Sequence, residues 1–277
     1  CKENLRFFEI GKDNKMLLSG RTAIDYVLQD ILSKKDIKNV YFPSYCCESM
    51  IQPFLEKNIK IENYEVYFEN GLKYNIDLNK KCDIFFAMNY FGYSETNMKN
   101  YVEEFKKKGT IIIEDITHSL LSETKHSEKS DYLVASLRKW FPIISGGLAV
   151  CLNENFKIDI NNLKPNNKFI KLKEQAMNEK RQYINGEKVG KEQFLEKYRE
   201  SNELLKKDYK NYLIDNKSKE IILSLDKNKI IKQRQENARI IYDKLSKCSS
   251  IQFLIKKLEK RTLHAVCSYI FRRKAKE

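Results

Sequence analysis

The chain has 277 residues, 42% of them hydrophobic and 32% charged, and its formal net charge is +14 at pH 7. A chain of this length can bury a large core, so we expect one large domain or one domain with part of a second. Gly and Pro are scarce, at 9 and 4 residues, and no biased or repeated tract is present. This composition argues against a disordered protein or a repeat protein.

Two further classes are disfavoured by the distribution of apolar residues and cysteines. No uninterrupted apolar run approaches the roughly 20 residues that span a bilayer, and the N-terminal CKENLRFFEIGKDNK lacks the apolar core of a signal peptide. The seven cysteines include no C-x-x-C pair, so neither a disulfide framework nor a metal site is predicted. We expect a cytoplasmic protein with no membrane partner.

Strands and helices alternate along the first 115 residues. An amphipathic helix with an apolar stripe at helical spacing follows Ser19-Gly20-Arg21 directly. The predicted helices are 22–34, 48–57 and 96–108, and the predicted strands are 39–42, 61–66, 83–88 and 110–113, the last leading into Glu114-Asp115. This alternation predicts an α/β fold in which a mostly parallel sheet is sandwiched by helices.

The second half of the chain begins with two strands, 132–136 and 147–152, which flank a connector at the rim of the sheet. Helices are then predicted over 166–184, 191–213 and 227–247. Two late strand-like runs, 251–255 and 264–271, resemble the opening of a second domain that is incomplete within this sequence. We therefore predict a large α/β domain over 1–247 and the start of a truncated small domain over 248–277.

Polar side chains follow the predicted strands where each strand ends. In α/β sheets, ligands bind beyond the carboxyl ends of the strands. The segments at this edge, with the start of the first helix, supply an anion cradle, a carboxylate, a histidine, a hydroxyl and a lysine. They are Ser19 to Thr22, Pro43 to Cys47, Asn89 to Gly92, Glu114 to His118 and Ser136 to Lys139.

This set meets the chemical requirements of pyridoxal 5'-phosphate. The cofactor needs a lysine amine for its aldehyde, a carboxylate beside its pyridine nitrogen and donors around its phosphate. A helix N-terminus that contains Gly20 and Thr22 offers unpaired N–H groups and a favourable dipole for the phosphate, and Ser136 adds a hydroxyl. Asp115 is the expected partner of the ring nitrogen, and Lys139 is the expected amine.

Five segments of the chain carry a resemblance to a known family. They are SGRTAI, VYFPSYCCESM, FFAMNYFG, IIIEDITHS and DYLVASLRKWFPIISGG, and together they extend over roughly residues 15 to 155. On these segments the chain resembles the DegT/StrS-type sugar aminotransferases, which are pyridoxal-phosphate enzymes of the aspartate-aminotransferase fold. The resemblance implies the large domain of fold type I, with the family's C-terminal small domain mostly absent.

The resemblance also implies roles for individual residues. Lys139 would bond covalently to the cofactor, Asp115 would pair with the ring nitrogen, and His118 would lie near the ring face or its phenolic oxygen. The phosphate contacts would come from the turn Gly20, Arg21 and Thr22 and from Ser136, although the family serine stands five residues before the lysine and Ser136 stands three before it. The family's ring-stacking aromatic aligns with Cys47, and Tyr45 or Tyr90 could replace it.

The activity implied by the resemblance is transfer of an amino group from an amino acid, glutamate, to a keto-sugar linked to a nucleotide, within amino-sugar or surface-polysaccharide biosynthesis. The resemblance further implies a homodimer. Lys139 would act as the general base, and we expect burial and the neighbouring Arg138 to lower its pKa.

Three alternatives remain open at this stage. Related dehydratases carry histidine in place of the lysine, which argues against that activity here. A catalytically silent or truncated family member is the second alternative. The third is a basic protein that binds nucleic acid or an acidic polymer, but no aromatic-basic interleaving of the RNA-binding type is present, and we expect no nucleic-acid partner.

Overall fold

A ten-stranded sheet runs through the computed structural model, which describes residues 10–69, 71–92, 98–122, 126–248, 251–253 and 269–271. The strand order is β4-β3-β2-β5-β6-β7-β8-β1-β10-β9. The strands are β1 (Asp13–Leu17), β2 (Asn39–Pro43), β3 (Lys60–Phe68), β4 (Leu72–Asn75), β5 (Ile84–Met88), β6 (Ile111–Asp115), β7 (Tyr132–Ser136), β8 (Gly147–Cys151), β9 (Lys164–Pro165) and β10 (Tyr212–Leu213).

The centre of this sheet is parallel. Strands β3, β2, β5, β6 and β7 pair in parallel in that spatial order. On the far side of β7, β8 is antiparallel to both β7 and β1, and at the other edge β4 is antiparallel to β3. The predicted α/β class with a mostly parallel sheet is therefore confirmed.

Seven helices are described around the sheet. They are α1 (Gly20–Leu32), α2 (Glu48–Leu55), α3 (Met98–Lys107), α4 (Asn167–Ile184), α5 (Lys191–Lys207), α6 (Asn216–Ser224) and α7 (Lys227–Leu245). Helix α1 begins two residues before the predicted start because Ser19 caps it, accepting the Thr22 N–H at 3.2 Å. Its predicted apolar stripe is buried, with Val27 and Leu28 wholly inaccessible.

Helices cover both faces of the sheet, as the alternating side chains of β5 show. Phe86 belongs to the core that contains α1 and α2, and its ring centroid lies 4.3 Å from that of Phe42. The adjacent Phe85 belongs to the core that contains α3, and it stacks on Phe105 at 4.3 Å. Successive residues of a strand point to opposite faces, so the two cores sandwich the sheet between them.

The second half differs from the sequence prediction between residues 164 and 224, where β9, β10 and α6 were not predicted. The helix predicted over 191–213 ends at Lys207, because Asn211 has a φ of 59° and Leu213 pairs with Leu17 of β1. The connector between β7 and β8 lies at the rim of the sheet, as predicted.

The C-terminal prediction falls largely outside the described residues. Strands β11 (Ile251–Phe253) and β12 (Tyr269–Phe271) pair antiparallel, while 254–255 and 264–268 are not described. The division into domains at residue 247 stays a prediction. Among the described residues, no helix combines the length and the apolar character needed to cross a bilayer.

Candidate functional site

Three neighbouring strands bring the predicted polar segments to one edge of the sheet. Met88 of β5 pairs in register with Asp115 of β6, and β7 continues beside β6 to Ser136. A short 3-10 turn follows β5 at Tyr90–Gly92, and another follows β7 at Leu137–Lys139. Because these strands are parallel, the segments that follow them emerge at the same edge.

The start of α1 lies against the same edge. A Cβ atom added to Gly20 would be 3.0 Å from the Cβ of Ser136, so the helix start and the end of β7 are in direct contact. The predicted grouping of the Ser19 to Thr22 segment with the strand ends is therefore present in the structure.

Asp115 is a buried carboxylate at the end of β6. Its Oδ1 accepts the Thr117 N–H at 2.7 Å. Burial raises its pKa, while hydrogen bonding by Thr117 and the positive charge of Lys139 act in the opposite direction. The pairing of Asp115 with a ring nitrogen, expected from the sequence, stays a prediction.

His118 is held in one orientation by the turn that follows β5. Its Nδ1 accepts the Phe91 N–H at 3.2 Å, and its ring stacks on that of Phe91 at 5.3 Å with an interplanar angle of 10°. Burial lowers the pKa of His118 to about 4, and the charge of Lys139 lowers it in the same sense. His118 is therefore neutral at pH 7, and the hydrogen bond to Nδ1 assigns its proton to Nε2.

The environment of Lys139 differs from the predicted one. Its side chain is exposed, so the expectation that burial surrounds it is wrong, because it ends the short turn at the rim of the sheet. The Nε of the neighbouring Arg138 is covered from solvent. The positive charge of Lys139 contributes to the electrostatics of both Asp115 and His118.

The backbone that carries Lys139 is fixed by two contacts. Trp140 is buried, and its Nε1–H donates to the carbonyl oxygen of Thr117 at 2.5 Å. Arg234 of α7 donates to the Lys139 carbonyl oxygen at 3.3 Å, and its guanidinium lies 4.6 Å from the centre of the Trp140 ring. The aromatic residue after Lys139 therefore ties the lysine turn to the turn that carries Asp115 and His118.

The connector ends in Ser-Gly-Gly, and the last glycine is required for steric reasons. A Cβ on Gly147 would lie 2.0 Å from the carbonyl oxygen of Ser19, a separation that only glycine permits. The Gly146 N–H donates to the carbonyl oxygen of Leu18 at 2.7 Å. Glycine at 147 thus allows the start of β8 to approach the start of α1.

Two residues that fix the connector were missed by the sequence reasoning. The Ser145 hydroxyl donates to Asp215 at 2.5 Å, and the Ser218 hydroxyl accepts the Ile144 and Ser145 N–H groups at 3.1 and 3.2 Å. Asp215 also caps α6 by accepting the Ser218 N–H at 2.8 Å. The pattern of Asp215 followed by a helical segment is an N-cap signal that could have revealed α6.

Thr22 and Ser136 make protein contacts that bear on their predicted phosphate roles. The Thr22 N–H is taken by Ser19, and its hydroxyl donates to the Tyr209 carbonyl oxygen at 2.8 Å. The Ser136 N–H donates to the Thr117 hydroxyl at 2.9 Å. An anion at the start of α1 would therefore meet Gly20 and Arg21, whose N–H groups precede the first intrahelical donor.

The three candidates for ring stacking lie in different surroundings. Tyr90 is buried, and its hydroxyl donates to the carbonyl oxygen of Tyr45. The Tyr45 ring is 63% exposed and lies 5.7 Å from the Tyr90 ring. Cys47 is exposed at the start of α2, with its Sγ 3.0 Å from the Ser49 hydroxyl. Tyr45 is thus the exposed aromatic of the three.

No protein-family model and no curated protein matches the chain. Among solved structures, the SepCysS–SepCysE N-terminal domain complex is similar at 15% identity and a TM-score of 0.44, over 55% of this chain and 44% of that one. Ureidoglycine-glyoxylate aminotransferase from Bacillus subtilis is similar at 16% and 0.41, over 55% and 42%. The pyridoxal-5'-phosphate-dependent protein YhfS from Escherichia coli is similar at 10% and 0.40, over 51% and 40%. The match spans less than half the length of each of these structures.

Proposed function

We propose that this chain is the cofactor-binding part of a pyridoxal-phosphate-dependent aminotransferase, with the cofactor held between Lys139 and Asp115. The observation that carries the proposal is geometric: Trp140, the residue after Lys139, donates its Nε1–H to the carbonyl oxygen of Thr117, which lies between Asp115 and His118. This contact ties the turn that carries Lys139 to the segment that carries the buried carboxylate and the histidine, at one edge of the sheet.

The side chains at this edge have the chemistry that the cofactor requires. When bound, pyridoxal phosphate supplies an aldehyde that reacts with amines and a ring that accepts electrons from the amino acid. The exposed Lys139 is accessible to that aldehyde. Asp115 is screened from water, so its pairing with a protonated ring nitrogen is stronger than it would be at the surface.

Lys139 and His118 have separate tasks in the proposed reaction. The amine of Lys139, once unprotonated, would act as the general base that takes a proton from the α-carbon of the amino acid. His118 is neutral and holds its proton on Nε2, so it is a hydrogen-bond donor toward an oxygen of the ligand. Its stacking on Phe91 keeps that donor in a fixed direction.

The identity of the two substrates, the compartment and the oligomeric state belong to the same proposal. The motifs that resemble DegT/StrS-type enzymes support glutamate as the amino donor, a nucleotide-linked keto-sugar as the acceptor and a cytoplasmic homodimer as the working form. Lys139 stands where the related dehydratases have histidine, which favours amino transfer. The net charge of +14 is compatible with a substrate that carries a diphosphate.

Absorbance tests cofactor binding. Protein incubated with pyridoxal phosphate is expected to show an absorbance band distinct from that of the free cofactor, and Lys139→Ala is expected to abolish it. Lys129→Ala is the matched control, because Lys129 is also exposed but lies on another loop. An identical spectrum in wild type and Lys139→Ala would refute the assignment of Lys139.

Asp115→Asn tests the role of the carboxylate separately. A neutral amide cannot hold the ring nitrogen protonated, so we expect the variant to bind the cofactor while the rate of its half-reaction with glutamate falls at least about 100-fold. Single-turnover absorbance measures that rate. A rate near that of wild type would remove Asp115 from the proposed mechanism.

A further inference from the structure

Thr117 joins three parts of the candidate site through hydrogen bonds. Its N–H donates to Oδ1 of Asp115 at 2.7 Å, and its hydroxyl oxygen accepts the Ser136 N–H, at the end of β7, at 2.9 Å. Its carbonyl oxygen accepts the Nε1–H of Trp140 at 2.5 Å. The polar groups of this one residue therefore contact the buried carboxylate, the end of β7 and the turn that carries Lys139.

The hydrogen bond from Ser136 replaces a bond of the sheet ladder. Strands β6 and β7 pair in parallel, and the Ile116 N–H donates to the Val134 carbonyl oxygen at 2.9 Å. In a regular parallel ladder the Ser136 N–H would next donate to the Ile116 carbonyl oxygen, but that oxygen accepts the Ser119 N–H at 3.0 Å. The Thr117 hydroxyl is the acceptor instead, so this side chain fixes the end of β7 beside β6.

The Thr117 hydroxyl also hydrogen-bonds to Asp115. A hydroxyl has one proton to donate, and accepting the Ser136 N–H leaves that proton available. Burial raises the pKa of Asp115, and the hydrogen bonds from the hydroxyl and the N–H of Thr117 both lower it. Because hydrogen bonds in a chain polarise one another, the contact with β7 strengthens the bond to the carboxylate.

Both residues of this pair are screened from water. The exposed fraction is 7% for Thr117 and 5% for Asp115. A buried carboxylate relies on donors of the protein, because water cannot replace a donor that is removed. The direction and the charge of Asp115 therefore depend on Thr117 more than they would at the surface.

From this geometry we infer that Thr117 is a positioning residue, whose hydroxyl fixes the direction of the Asp115 carboxylate and links it to the end of β7. Its effect on the reaction rests on the proposed function, in which Asp115 pairs with the ring nitrogen of the cofactor. Thr117 acts through Asp115 rather than by contact with the cofactor. The sequence reasoning assigned roles to Asp115 and His118 and none to the threonine between them.

Titration of Asp115 in the protein without cofactor tests this role directly. Carbon-13 NMR of protein labelled at the aspartate carboxyl carbons follows the titration, and the resonance missing from Asp115→Asn is that of Asp115. We expect Asp115 to titrate at higher pH in Thr117→Val than in wild type. Thr117→Ser keeps the hydroxyl, so its Asp115 is expected to titrate as in wild type. An unchanged titration in Thr117→Val would contradict the inference.

Thr110→Val is the matched control. Thr110 is also buried, and its hydroxyl donates to the Cys82 carbonyl oxygen at 3.2 Å, just before the start of β6 and therefore at the other end of that strand. We expect Thr110→Val to leave the titration of Asp115 unchanged, even where its melting temperature falls as far as that of Thr117→Val. Equal shifts in the two valine variants would reflect a general loss of stability and overturn the inference.

Two further points keep the titration interpretable. Lys139, Glu114 and Tyr90, from three different elements, interact electrostatically with Asp115, and they are the same in every threonine variant. If Thr117→Val does not fold, Thr117→Ala removes the same hydroxyl with a smaller side chain and carries the same expectation.

The half-reaction with glutamate separates this inference from the proposed function. A hydrogen bond to a charged group contributes enough to change a rate about tenfold or more, so we expect the single-turnover rate of Thr117→Val to fall at least about tenfold and that of Thr117→Ser to stay near wild type. A slow Asp115→Asn with a wild-type rate in Thr117→Val would overturn the inference alone. A wild-type rate in Asp115→Asn, with the titration shifted in Thr117→Val, would remove Asp115 from the reaction and still support the link between Thr117 and Asp115.

Discussion

Consecutive residues of the lysine turn lie in three different environments. The Nε of Arg138 is covered from solvent, Lys139 is exposed, and Trp140 is buried. A tight turn directs successive side chains apart, so three residues can serve three purposes. The chemistry of this turn therefore depends on the direction of each side chain as well as on its type.

The lowered pKa of His118 gives a prediction about how the stability of the protein depends on pH. Its pKa in the folded protein, about 4, lies below the value of 6.5 for an unperturbed histidine, so the unfolded chain takes up the proton first. Stability is therefore lost as pH falls from about 6.5 to about 4, by up to about 3 kcal/mol. Urea denaturation at several pH values measures the free energy of unfolding.

The matched variant is His118→Gln, which cannot titrate in this range. The difference in unfolding free energy between wild type and His118→Gln should shrink as pH falls through that window. The buried Asp115 and Glu114, whose pKa values burial raises, are present in both proteins and cancel in the difference. A difference that does not change between pH 7 and pH 4 would contradict the buried, neutral state of His118.

Gly147 gives a steric prediction. A methyl group there would meet the Ser19 carbonyl oxygen at 2.0 Å, so Gly147→Ala is expected to destabilise the protein by more than about 2 kcal/mol. Gly190→Ala is the control, because its Cβ would make only ordinary contacts, 3.7 Å from Gln193. Equal unfolding free energies of the two variants would show that β8 and α1 do not approach each other as described.

At the scale of elements, α6 and the β7–β8 connector stabilise each other. Asp215 caps the helix and also accepts the Ser145 hydroxyl, while Ser218 binds two N–H groups of the connector. The lysine turn, the connector and the start of β8 are thus held by a short helix about 70 residues further along the chain.

The double role of Asp215 can be measured. Asp215→Ala removes a helix cap and the acceptor of the buried Ser145 hydroxyl proton, while the backbone N–H of residue 215 still donates to that hydroxyl. We therefore expect a loss of about 2 to 4 kcal/mol in unfolding free energy. Asp226→Ala is the control, because Asp226 caps α7 alone through an exposed hydrogen bond of 3.1 Å and should cost about 1 kcal/mol. Losses of the same size would contradict the tie to the connector.

Most elements of the first 150 residues could be predicted because each has a strong local pattern. The β-branched run of β6 and the apolar stripe of α1 specify their structure without help from the rest of the chain. Strand β10 has two residues, which is too short for periodicity to reveal, and the local signal for α6 is its N-cap, Asp215. Strand β10 exists because Leu213 pairs with β1, and no local pattern encodes such a partner.

Some features of the candidate site could also be predicted from the sequence, and others could not. The order of strands along the chain was enough to group Asp115, His118 and Lys139 at one edge, since ligand sites follow parallel strands. The exposure of Lys139 and the hydrogen bonds already made by Thr22 depend on tertiary contacts. Asp215 was missed because its partner Ser145 is distant in sequence.

At the scale of the whole molecule, the antiparallel β8 separates the parallel strands from β1. The register from Asp13 opposite Cys151 to Leu17 opposite Gly147 joins residues more than 120 positions apart. This pairing adds β1 to the sheet and brings the Ser19 to Thr22 segment, which follows β1, beside the end of β7. Alternation of strands and helices predicts parallel pairing but not this insertion.

The number of lysines in the whole chain decides which experiment can identify the lysine that reacts with the cofactor. With a formal net charge of +14, many exposed lysines could react with an aldehyde, so colour alone does not identify the reacting residue. The central claim is that folding makes one lysine special by placing it opposite Asp115. A test must therefore locate the bond along the sequence.

The bond between the cofactor and its lysine can be located by peptide mass mapping. The protein is first loaded with equimolar pyridoxal phosphate and reduced with borohydride. The account predicts that the added mass is concentrated on the peptide containing Lys139 and disappears from that peptide when the protein is unfolded before loading. Added mass spread over surface lysines in the folded protein, or concentrated on a lysine away from Asp115, would contradict the account.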